Sequence, residues 1–123
     1  MPSNIKIYRV GDIIRMTESG ELDLDRSIDI VRQLATEANY HQDHNVILDL
    51  RETSVNVSMG DIIQISMEFA SYHQVFKNKI AVIIPDTEER LKIATRFKTC
   101  MDMQGFQFEQ FTDFEAAIEW LSD

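Results

Sequence analysis

Proline and glycine are scarce: two prolines and four glycines in 123 residues. Linkers and disordered tails are rich in both, so little room is left for either, and one folded domain over 1–123 is expected. A single cysteine, Cys100, excludes an internal disulfide and fits a reducing, cytoplasmic setting. No apolar run approaches the roughly 20 residues that span a bilayer. The start, Met1-Pro2-Ser3-Asn4-Ile5-Lys6, lacks the basic-then-apolar order of a signal peptide. Bases are few as well. Twelve Lys and Arg face 21 Asp and Glu, a formal charge of −9. That sign repels phosphate backbones and anionic headgroups and argues against a nucleic-acid partner.

What the chain does have is a recurring unit, an apolar strand leading to a capped helix start. Val46-Ile47-Leu48-Asp49-Leu50 leads to Ser58-Met59-Gly60-Asp61, and Ile80-Ala81-Val82-Ile83-Ile84 stops before Asp86-Thr87-Glu88-Glu89. Phe106-Gln107-Phe108-Glu109 leads to Thr112-Asp113-Phe114-Glu115. Strands that are apolar nearly throughout are covered on both faces, which predicts a mainly parallel sheet with helical crossovers. Ahead of them, Ile5–Val10 and Ile13–Thr17 flank Gly11-Asp12 and read as an antiparallel hairpin, with Gly20 ending the second strand.

Helical periodicity supplies the inner faces. A first helix from Asp23 or Asp25 to Tyr40 turns Ile28, Val31, Leu34, Ala35 and Ala38 inward. A second, Ser58 to His73, places Met59, Ile62, Ile65, Phe69 and Ala70 on one side. A third turns Ile93, Ala94, Phe97, Cys100 and Met101 inward and ends at Gly105. A fourth opens on a capping box of Thr112 and Glu115, with Phe114, Ala117, Ile118 and Leu121 inside and Trp120 on the flank. The resulting order is β-β-α-β-α-β-α-β-α, a mixed sheet of about five strands with about four helices.

Among residues able to carry chemistry, Ser58 is the sharpest. Its first role is helix N-cap, paired with Asp61. The same place suits a phosphate, because free N–H groups and the positive dipole end converge there, and Gly60 leaves the first turn open. Asp49, grouped with Ser58 and Gly60 as a candidate phosphorylation or partner site, interrupts an apolar strand and needs partners, for which the following loop amides or Arg51 could serve. His41, Asp43 and His44 form a polar loop whose spacing does not make a metal site. His73 reads as a partly buried residue or a helix C-terminal cation, and Cys100 as an inert core thiol. Six methionines fill the core, or, gathered with Phe69 and Phe97, line an apolar pocket whose candidate members are Met59, Met67 and Met101. A Gly-rich phosphate loop, a GxSxG turn and an HExxH motif are all missing from the sequence, and no cofactor is implied.

The element order, Val46–Leu50, the Ser58-Met59-Gly60 helix start and the closing Phe111–Leu121 segment together resemble the STAS superfamily. These are the SpoIIAA-like, anti-sigma-factor-antagonist domains, and the closing segment is similar to a small bacterial STAS/SEC14-like branch. In antagonist domains the second helix opens with Asp-Ser-Ser-Gly and its first serine is phosphorylated. Ser58 and Gly60 match that pattern, while Val57 and Met59 replace the Asp and the second Ser. The resemblance implies a non-enzymatic regulatory module with a protein partner, contacted through the Ser58 helix start and the loop 52–57. Its alternative implication is a carrier of a lipid or small apolar ligand. A homo-oligomer is compatible with the sequence and not specified by it.

Overall fold

Alternating side chains on a single sheet sort the apolar residues of this chain between two faces. The computed structural model describes residues 3–8 and 12–123. In chain order its elements are β1 (Ser3–Tyr8), β2 (Ile13–Leu22), α1 (Leu24–Tyr40), β3 (Asn45–Val55), α2 (Met59–Ser71), β4 (Ile80–Ile83), α3 (Glu88–Met103), β5 (Phe108–Phe111) and α4 (Phe114–Leu121). The five strands lie in sequential order. β1 pairs antiparallel with β2, and β2 to β5 are mutually parallel. Crossovers of one hand that all step the same way stack their helices on one face, so α1, α2 and α3 share a side. Against them pack Ile14, Met16, Val46, Leu48, Ile80, Val82 and Phe108. The other face, with Ile47, Ala81 and Ile83, is covered by Ala117 and Leu121 of α4. Asp49 reads as an α4-side residue by the same alternation.

Each helix starts on a side-chain cap: Asp23 accepts from the Arg26 amide, Ser58 from Asp61, Thr87 from Arg90 and Asp113 from Ala116. The fourth cap corrects the expected Thr112. Gly105, at φ +84°, lies just beyond the end of α3 and supplies the left-handed turn expected there. The hairpin is present, although the expected strand end at Arg9 and Val10, and Gly11, lie outside the described residues.

Three strand boundaries differ from expectation. Gly20 does not end β2; it is carried inside the strand at φ +87°, and β2 runs on to Leu22. β5 begins at Phe108 rather than Phe106, although Phe106 is buried. β3 continues to Val55 instead of stopping at Leu50, and here a bulge intervenes. Thr17 pairs with Asp49 and Ser19 with Glu52, so Glu18 alone faces both Leu50 and Arg51. One extra residue inverts the alternation. Thr53 and Val55, odd-numbered like Ile47 and Asp49, thereby turn to the helical side. β4 stops opposite Asp49, so β3 beyond that point has a free edge.

Candidate functional site

Two places on the helical side, and one beneath α4, hold the residues singled out from the sequence. At the start of α2 the capping box is complete: Ser58 Oγ accepts from the Asp61 amide at 3.1 Å, and Asp61 Oδ2 accepts from the Ser58 amide at 2.9 Å. Ser58 and Gly60 are both exposed. A methyl group at Gly60 would meet only Ser58 Oγ, at 3.7 Å. Onward from this start Met59, Ile63 and Met67 recur every fourth residue and are 47%, 44% and 61% exposed. They form an apolar stripe on the outside of α2. Periodicity places Met59 on the inner face, but it lies at the margin of that face and falls in with the exposed Ile63 and Met67 instead.

Beneath α1, α2 and α3 lies an apolar cavity of about 110 Å³. Its walls come from all three helices and the sheet, including Ile30, Leu48, Ile62, Phe69, Phe97 and Phe108. Of the five residues expected to line a pocket, Phe69 and Phe97 do so. Met59 and Met67 point outward, and Met101 is fully buried in the core without lining it. The ring of Phe69 lies 5.9 Å from that of Phe97 and 5.1 Å from that of Phe76, so one side of the cavity is an aromatic cluster.

Three polar side chains also line the cavity, Ser27, Arg90 and Gln110. Arg90 is 7% exposed. Its Nη1 donates to the Thr53 carbonyl at 2.7 Å and its Nη2 to Thr53 Oγ1 at 3.1 Å. The guanidinium thus caps the free edge of β3, at the residue the bulge turned inward. Among the described residues it forms no ion pair with a carboxylate, and burial pushes its pKa below the usual arginine value. The Gln110 Oε1 is buried and has no hydrogen-bond partner. Sequence reasoning passed over Arg90, yet a signal was there. It falls on the stripe of Ile93, Ala94, Phe97 and Met101, in a first turn where the helix dipole disfavours a cation.

Asp49 is remote in character from both places. It is 4% exposed, and both of its oxygens are occupied. Oδ1 accepts from the Arg51 amide and Nε at 3.2 and 3.0 Å, and Oδ2 from Arg51 Nη2 and Arg15 Nη2 at 2.7 and 3.2 Å. Burial works to raise the Asp49 pKa, but the bonds from Arg51 and Arg15 outweigh it and hold the carboxyl below its ordinary value. Arg15 lies 4.5 Å over the ring of Phe114, on α4. Asp49 and Ser58 therefore belong to opposite faces of the sheet.

The remaining candidates are dispersed. His41 and His44 meet at a tilt of 54° with 5.0 Å between ring centroids, and no group of three or more His, Cys, Asp or Glu among the described residues could hold a metal ion. His73 is exposed rather than partly buried and contacts the Gln104 carbonyl at 3.0 Å. Cys100 is half-buried. No described helix is long and apolar enough to cross a membrane.

The sequential sheet, with three helices on one face and one on the other, can be set beside solved structures. An uncharacterized protein of the DUF3478 family from Shewanella loihica PV-4, described as having a SpoIIAA-like fold, superimposes with a TM-score of 0.63. The two share 16% identity over 98% of this chain and 92% of that one. This is the SpoIIAA-like fold. The anti-sigma factor antagonist SpoIIAA in its unphosphorylated form matches with a TM-score of 0.55 and 12% identity, covering 98% of each chain. No protein-family model matches the sequence, and no curated protein matches it.

Proposed function

We propose that this SpoIIAA-like domain is a non-enzymatic regulatory module that binds a protein partner through the start and outer face of α2. The observation that carries the reading is the stripe of Met59, Ile63 and Met67, apolar side chains about half exposed or more on consecutive turns. Soluble surfaces scatter such residues singly; a row of them on one helix suits a partner's groove or helix. Methionine's flexible, polarizable side chain adapts to such contacts. Ser58 and Gly60 stand at the end of the row, where a phosphate would meet the free amides of the helix start and change the charge of the contact surface.

The test uses the wild type, a Met59→Gln/Ile63→Gln/Met67→Gln variant and Ser58→Asp as baits in host lysate, after thermal melts establish equal folding. Loss of a partner from the triple variant, with altered recovery by Ser58→Asp, supports the reading. Identical recovery by all three overturns it.

A second reading, a carrier of a small apolar ligand, is favoured by the cavity beneath the helices. Its volume of about 110 Å³ compares with roughly 150 Å³ for an engineered cavity that admits benzene. That size suits a short ligand body and not a whole lipid.

A further inference from the structure

The geometry points to the cavity as a binding site for a small monocarboxylate, its short apolar body under α2 and α3 and its carboxylate on Arg90. The inference deepens the ligand-carrier reading and rests on it. Arg90 carries five N–H donors, and Thr53 occupies two of them from one side. A buried cation in the first turn of a helix is placed against the dipole, and no described carboxylate pairs with it. Holding it there is costly unless an anion completes its surroundings. Gln110 adds another polar group to the lining of the same cavity, with a buried oxygen that lacks a partner; turned end for end, its amide presents N–H groups instead.

The balance of charge and shape selects the ligand class. One guanidinium matches one carboxylate in charge and in its paired donors. A phosphate dianion would remain half neutralised, in a protein whose formal charge is already −9. Apart from Ser27, the rest of the cavity is hydrocarbon and aromatic, with Leu50, Val55, Ile65, Ile93 and Phe97 only partly buried although they line it. Covering those side chains rewards a short aliphatic body. The bulge in β3 makes the site possible, because it turns Thr53 toward Arg90 and fixes the guanidinium at the cavity wall.

The experiment titrates the protein with 4-methylpentanoate and with 4-methylpentanamide, the same body without the charge, at millimolar concentrations and followed by two-dimensional NMR. Saturable shifts confined to the cavity walls, with the acid binding roughly tenfold or more tightly than the amide, are expected. Arg90→Gln should abolish that preference, and Arg90→Lys should restore part of it. Equal binding of acid and amide by the wild type would overturn the role of Arg90 while the carrier reading stands. No cavity shifts with either compound would overturn both. Because the acid–amide comparison needs only the wild type, the result does not depend on whether the variants fold.

Discussion

Asp49 and Arg51, two residues apart on β3, close a three-bond pair in which the Arg51 amide, Nε and Nη2 all donate to one carboxylate. The β3 bulge lies between Asp49 and Glu52, so the pair sits where the strand changes direction.

The pair makes stability depend on acidity in a definite direction. The folded pKa of Asp49 lies below the unfolded one, so its contribution is complete above the unfolded value and is lost as pH falls through the folded value. Asp49→Asn should cost about 2 kcal/mol at neutral pH, where the charged hydrogen bonds are intact. The difference from wild type should shrink in strongly acidic solution. Urea denaturation at several pH values checks this; a difference that grows toward low pH would contradict it.

Core and cavity positions should respond unequally to truncation. Phe69 is 2% exposed, so Phe69→Ala should cost about 3–5 kcal/mol. Phe97 is half-buried and already borders open space, and Phe97→Ala should cost clearly less. Lys92, whose side chain is 71% exposed, should change stability by less than about 0.5 kcal/mol on replacement by Ala. Equilibrium denaturation of the three variants gives the ranking.

The start of α2 separates capping from recognition. Ser58→Ala should lose about 1 kcal/mol, and Ser58→Asp should stay near the wild type. Gly60→Ala meets only an ordinary contact and should gain about 0.5–1 kcal/mol, since Ala is the better helix former. Thermal melts measure all three. A destabilised Gly60→Ala would mean that the first turn is more crowded than its geometry indicates.

The sequence by itself determined the order of elements, the parallel sheet and most inner faces of the helices. Those features rest on periodicity summed over many residues, and on caps such as Asp23, Ser58 and Thr87 that act within one turn. Ser58 and Asp61 form a capping box for the same local reason. The tertiary structure alone decided where β3 bulges, because register depends on pairing between Glu18 and residues more than 30 positions away. It also decided that Met59 faces outward with Met67, since packing of the neighbouring elements settles whether a residue at the margin of a helix face is covered. Arg90 and Thr53, 37 residues apart, meet only because β4 is short, the bulge turns Thr53 and α3 crosses the exposed edge. No local pattern encodes those three facts together, so the polar wall of the cavity could be read only from the folded chain.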